Sequence, residues 1–186
     1  MNRRGFTLIE LLIVLSVLAI LAGAVVSSAG RPATQALEAT ARVLASDLRL
    51  ARSLAVQHGS EWTVRFDFDG RGYELLHTGT GNPPPPRNPL APPRSDGRYR
   101  VDFASDAGPA RGMVRIAAVQ LATSGQAASD VRFQPLGGTG PARSEDTLIR
   151  LVAENGPSAP AVLVTVSWVT GNVWVAPIDQ PGKKID

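Results

Sequence analysis

Few side chains in this sequence stand where they could do chemistry, and Glu10 has the most unusual setting. It is the only charge between Arg4 and Arg31, at the head of the apolar run from Leu11 to Val26. A carboxylate just inside a membrane-length apolar stretch costs on the order of 2.5–3.5 kcal/mol on insertion scales, so it calls for a partner. The other candidates fall away on spacing. His58 and His77 have no further histidine at ligand distance and the chain has no cysteine, so no metal site is expected. Gly137-Gly138-Thr139-Gly140 lacks the Lys-Ser/Thr that completes a phosphate loop, and Ser124-Gly125 lacks the preceding glycine of a nucleophile elbow. Asp67 and Asp69 read as solvated carboxylates on the outer face of a strand. No catalytic residue and no cofactor is expected, and the chain does not read as an enzyme.

The element that must position Glu10 is the apolar run itself. About 20 such residues cross a bilayer core of ~30 Å as a helix. Arg3 and Arg4 precede it, which puts the N-terminus in the cytoplasm and everything beyond Arg31 outside. Two plainer readings compete. In a secretory signal peptide, Arg3-Arg4 would be the basic region and Ala22-Gly23-Ala24 the cleavage site. In an ordinary single-pass anchor, Glu10 would merely sit near the headgroups. An acidic residue at the start of the apolar region and the length of that region both argue against a signal peptide.

The run Arg4-Gly5-Phe6-Thr7-Leu8-Ile9-Glu10-Leu11-Leu12 resembles the N-terminal signal of type IV pilins and of the pseudopilins of type II secretion. The resemblance implies that a prepilin peptidase cleaves between Gly5 and Phe6 and methylates the new amine of Phe6. It also implies that Glu10 faces the N-terminal amine of a neighbouring subunit in a filament. An ammonium beside a carboxylate removes two unpaired charges from an apolar setting at once. Ala19 and Gly23 form a small-xxx-small pair that permits close helix approach.

Beyond the run, Pro32 lacks an amide donor and is expected to kink or interrupt the helix. A second helical pattern follows to His58, with Leu37, Ala41, Leu44, Leu48 and Ala51 or Ala55 on one stripe and Gly59 as its stop. The period then changes to two at Trp62, Val64, Phe66 and Phe68. Gly70-Arg71-Gly72 turns this strand into Tyr73–Thr78. Further strands are expected at Tyr99–Phe103, Met113–Leu121, Val131–Phe133, Thr147–Val152, Ala161–Val169 and Asn172–Ala176, with Val162, Val164, Val166 and Trp168 on one face. Seven of the fifteen prolines lie between Pro83 and Pro93, which reads as an extended surface loop.

The expected fold class is therefore α+β: a long N-terminal helix, membrane part plus amphipathic part, then an antiparallel β-sandwich-like domain. The organisation is a leader at 1–5, a membrane helix at 6–30, an amphipathic continuation at 31–58, and a β-rich periplasmic domain at 59–186 with a Pro-rich loop at 79–98. Removing Arg3 and Arg4 leaves 17 of the 19 basic side chains against 16 acidic ones, so the soluble part is nearly neutral. Without cysteine, its stability rests on a hydrophobic core.

The passage from Ala51-Arg52-Ser53-Leu54-Ala55 into the Trp62 strand resembles the H-type minor pseudopilins of type II secretion and the fimbrial T-type minor pilins. So do Val131–Gly140 and the closing Val169-Thr170-Gly171-Asn172-Val173 hairpin. The resemblance implies a structural subunit of a type II secretion pseudopilus, which helps export folded proteins across the outer membrane. Its expected partners are other pseudopilins or pilins in a helical filament, the prepilin peptidase, the inner membrane and secreted cargo. It is expected in the bacterial inner membrane as a single pass, with its C-terminal domain periplasmic, and in a filament after assembly. The alternative is a minor pilin of a type IV pilus, acting in pilus assembly or DNA uptake. DNA would then meet a basic patch of Arg87, Arg94, Arg98 and Arg100, which Asp96 and Asp102 interrupt.

Processing follows directly from these residues. The mature protein is expected to begin at N-methyl-Phe6, read by intact-mass analysis of the membrane fraction. A terminus at Ala24 or beyond would make the segment a secretory signal. A bulky charged residue in place of Gly5 should block maturation.

Overall fold

The stripe of small and branched residues after Pro32 does form one helix, and it is the spine of the larger of two units. A computed structural model describes residues 8–28, 31–81, 83–84, 86–89, 97–105, 108–141, 143–154 and 159–179, side chains of 20–32 excepted. The chain divides into residues 1–32 and residues 33–186. In the first unit α1 runs from Leu8 to Ser28. Its described side chains end at Ala19, and the large apolar ones among them are all exposed. Among the described residues no helix is long and apolar enough to cross a membrane.

Helix α2 spans Arg31–His58. Pro32 stands in its first turn, where its missing N–H leaves no helical bond unmade. Leu37, Ala41, Leu44, Leu48, Ala51 and Ala55 recur at three and four residues, and all are fully buried. Burying each leucine contributes roughly 1.5–3 kcal/mol. On the outer face Arg42 donates to Glu38 at 2.5 Å. The helix stops in a Schellman turn: Gly59 N bonds the Val56 carbonyl and Ser60 N the Ala55 carbonyl, with Gly59 at φ +56°.

Eight strands follow among the described residues. They are β1 (Trp62–Phe66), β2 (Gly72–His77), β3 (Tyr99–Asp102), β4 (Val114–Leu121), β5 (Asp130–Phe133), β6 (Thr147–Ala153), β7 (Ala161–Val166) and β8 (Val173–Val175). They form two four-stranded sheets, ordered β3-β2-β1-β5 and β4-β6-β7-β8. Every neighbouring pair is antiparallel. The buried faces of both sheets and the α2 stripe make one continuous core. The fold is α+β, an N-terminal helical part followed by two antiparallel sheets.

Two aromatic residues correct the strand pattern. Trp62, Val64 and Phe66 are buried, but β1 ends at Phe66 and Phe68 is fully exposed. The Asp67 amide bonds the Gly72 carbonyl and the Gly70 amide the Asp67 carbonyl, so the chain is already turning at Phe68. Likewise β7 ends at Val166. Trp168 then sits on the turn that the Gly171 N to Ser167 O bond closes, and it is partly exposed.

The helix and the first sheet meet at a buried carboxylate. Tyr73 donates to Asp47 Oδ2 at 2.6 Å and Tyr99 to Oδ1 at 2.7 Å, tying α2 to β2 and β3. Burial pushes the Asp47 carboxyl up, and the two tyrosine hydroxyls offset this in part. Burial and then Asp47 itself push both tyrosines up. A carboxyl raised on folding favours the native state while protonated, so this contribution is full in acid. It is lost as pH rises through and above the ordinary aspartate range. Asp47→Leu strands two buried hydroxyls and should cost about 2–4 kcal/mol in denaturant unfolding. Asp47→Asn should lose far less and flatten that pH dependence; an unchanged slope would show that Asp47 does not set it.

Candidate functional site

Glu10 lies in the first turn of α1, where a carboxylate is favoured by the positive end of the helix dipole. Its side chain is exposed, among Leu8, Ile9, Leu11, Leu12 and Ile13, which are all more than half exposed. These residues line no single stripe; the helix is apolar all round. Such a surface requires lipid or other chains to cover it. Gly5 and Phe6, the expected cleavage and methylation positions, lie outside the described residues.

The histidines serve the fold. Trp62 packs between His58 and His77, with ring centroids 5.9 and 5.3 Å away, and His77 Nε2 is hydrogen-bonded to Ser60 Oγ at 2.7 Å. Among the described residues no group of histidine and acidic side chains could hold a metal. Glu145 accepts from the Ser124 and Thr123 amides, which hold its carboxyl low and close that turn.

Of the expected basic patch, Arg87 and Arg98 are exposed, and Arg94 lies outside the described residues. Arg100 donates to Asp67 Oδ2 at 2.7 Å. Asp69, Asp102 and Glu74 stand near enough to Asp67 to raise its carboxyl, after burial and against the pull of Arg100. Arg100 is therefore one cation in a mostly acidic neighbourhood. Residues far apart in sequence bring these carboxylates together through the β1–β2–β3 ladder, which residue spacing alone does not reveal.

Two apolar features outside the core have no counterpart in the sequence reading. The first is Phe68, at the apex of the Asp67–Gly72 turn. That turn is pinned, because Ile116 N of β4 bonds the Gly70 carbonyl at 2.8 Å. Gly70 has φ +69°, and a Cβ there would stand 2.2 Å from Ile116 O. The second is a cleft of about 440 Å³ between the loops after β5 and β7, lined chiefly by Pro135, Leu136, Pro141, Trp168 and Val169. Leu136 is 97% exposed and Val169 62%. Arg52 and Val56 of α2 lie directly beneath Gly137 in this loop, and Arg52 Nε is buried without a hydrogen-bond partner. The signals were turn compositions, Asp-Phe-Asp-Gly and Thr-Gly-Asn, which end strands earlier than hydrophobic alternation does.

Comparison with known proteins places this geometry. The prokaryotic N-terminal methylation motif matches residues 1–26, and the family model of the type II transport protein GspH matches residues 40–171. Two crystal forms of the type IV minor pilin FimU of Pseudomonas aeruginosa PAO1 are similar in structure, each at 19% identity and over 76% of this chain. The P21 form gives a TM-score of 0.48 over 88% of its own chain, and the P65 form 0.47 over 93%. No curated protein matches.

The charge arrangement makes a prediction about polyanions. With Arg100 held among carboxylates, the full chain in detergent should show no duplex-DNA binding at about 0.15 M salt in a fluorescence-anisotropy titration. Binding that falls steeply with salt and weakens on Arg98→Glu would instead restore the basic patch as a DNA site.

Proposed function

The chain belongs to the family of the type II transport protein GspH, and from that premise we propose that it is a minor pseudopilin of a type II secretion system. In this reading it is a structural subunit, not a catalyst. A prepilin peptidase removes residues 1–5 and methylates Phe6. Helix α1 holds the subunit in the inner membrane with the β-rich unit in the periplasm. On extraction into the pseudopilus, α1 packs among the apolar helices of neighbouring subunits, and the filament helps move folded cargo across the outer membrane.

The observation that carries this reading is the apolar, exposed surface of α1 over its described side chains, with Glu10 as its one carboxylate. Cover for such a helix comes first from lipid and then from like helices. Once it is surrounded by apolar helices, an unpaired carboxylate is costly. A neighbour's Phe6 ammonium offsets that cost, and it does so in only one axial register. The GspH match over residues 40–171 supports a minor pseudopilin or minor pilin, and the secretion system is the reading taken here.

The test separates insertion from assembly. Glu10→Val should insert and be processed at least as well as wild type, yet fail to join the filament in a complementation and crosslinking assay. Glu10→Asp, with a shorter reach, should give a partial defect. A processed Glu10→Val chain that crosslinks to its partner pseudopilins as well as wild type would sink the charge-pair register.

A further inference from the structure

We propose that the outer face of the second sheet docks on an anionic phospholipid surface, with a lipid phosphate held between Arg115 of β4 and Arg150 of β6. The proposal rests on the reading of α1 as a membrane anchor, and it names the side of the folded unit that meets the bilayer before extraction.

The outward positions of the two sheets differ in charge. On the first sheet Arg65, Arg100 and Arg132 are matched by Glu74, Asp102 and Asp130. On the second, Arg115 and Arg150 share the face with Leu148, Val152, Leu163 and Trp174, and no strand position there carries an acid. Arg115 lies opposite Val152, two residues from Arg150, and the register shifts at Ala117 between them. Diagonal neighbours on adjacent strands stand roughly 7–8 Å apart.

Both arginines line one open groove of about 580 Å³. Neither has an ion-pair or hydrogen-bond partner among the described residues. Glu154, also in the groove, is taken by Arg71 at 3.2 Å. Residues 155–158 include no charged side chain. Two like charges on neighbouring strands repel each other, and a phosphate between them accepts from both guanidinium forks.

The rest of the face fits the same surface. Arginine and tryptophan are both at home where headgroups meet water. Trp174 is 53% exposed opposite Thr165, and half-buried Leu148 stands opposite Thr165 on its other side. A carboxylate on this face would be repelled by anionic lipid, and there is none. The tether supplies the encounter. Ala33, where the folded unit begins, follows Ser28 of α1 by five residues, at most about 18 Å of chain. A unit held so close meets the headgroups at high effective concentration, so weak contacts suffice. An acidic protein would also match the arginines, but the membrane is the anionic surface that the anchor brings within reach.

The chain has no cysteine, so a single introduced thiol reports on one face. Gln120→Cys puts a fluorophore at an exposed outward position of β4, and Arg65→Cys puts it on the first sheet. Each full-length chain is reconstituted with a nitroxide-lipid quencher in two kinds of vesicle. One is phosphatidylcholine alone, and the other contains roughly a quarter phosphatidylglycerol. Quenching is expected at Gln120→Cys in the anionic vesicles only, and at Arg65→Cys in neither. Each arginine near such a surface changes occupancy about five-fold, so Arg115→Gln with Arg150→Gln should weaken docking about 25-fold. High salt should weaken it too. Quenching that is equal in both lipids, equal on both sheets, or unchanged in the double variant would overturn the docking. So would protection of the Gln120→Cys label only in native membranes, which would assign the face to an acidic protein. Flotation of the chain with the vesicles in alkaline carbonate is read in the same samples. A chain that fails to float overturns the anchor reading and the docking together, whereas a floating chain without lipid-dependent quenching overturns only the docking.

Discussion

The alanine-lined face of α2 is the constraint on which the folded unit depends. Ala33, Ala36, Ala41, Ala45, Ala51 and Ala55 are buried beside Leu37, Leu44 and Leu48. Small side chains let a helix backbone lie close to what it packs against, and one helix here serves two sheets. Asp47 takes hydrogen bonds from Tyr73 and Tyr99 of the first sheet. Two residues on, Arg49 Nη2 donates to the Val173 carbonyl of the second, at 2.8 Å. The close fit extends to the helix end. A Cβ on Gly171 would stand 1.9 Å from the Gly137 carbonyl and 3.1 Å from Arg52 Cδ. Both glycines have positive φ, so shape and backbone conformation together exclude other residues there.

Much of this was legible in the residues, and what was not had a common cause. The α2 stripe, its stop at Gly59 and all eight strands followed from periodicity and turn residues. Strand ends did not. Alternation ran on through Phe68 and Trp168 because each keeps the hydrophobic phase. The backbone bonds Asp67 N to Gly72 O and Gly171 N to Ser167 O end the ladders first. The Arg100–Asp67 pair was equally out of reach. The two residues are 33 apart, and only the register Tyr73 to Val101, beside Phe66 to Tyr73, brings their strands together. A count of arginines near a loop therefore does not reveal that Arg100 is paired with Asp67 among further carboxylates.

The same early strand ends that defeated the pattern created the surface features. A hydrophobic residue that keeps phase past the end of a strand is carried out of the core by the turn. Phe68 past the end of β1 and Trp168 past the end of β7 are residues of this kind. Exposing them costs solvation that a lone folded unit does not recover. The turn that holds Phe68 is nevertheless pinned, because Ile116 N of β4 bonds the Gly70 carbonyl.

Helix α1 poses the same question on a larger scale. None of its large apolar side chains between Leu8 and Leu18 is less than about half exposed, so nothing in the described chain covers them. Glu10 then has two environments to satisfy in the proposed life of the subunit. In the first turn of the helix its charge is favoured by the unpaired backbone N–H groups and lies close to the headgroups. The same carboxylate several turns deeper would face the full cost of a charge in hydrocarbon, and the subunit would insert poorly. After assembly, neighbouring apolar helices exclude water from that turn and the dipole alone no longer suffices. In that proposal a neighbour's terminal amine is the group that restores the balance. The first turn is thus the one position on α1 where a carboxylate is cheap before assembly and decisive after it.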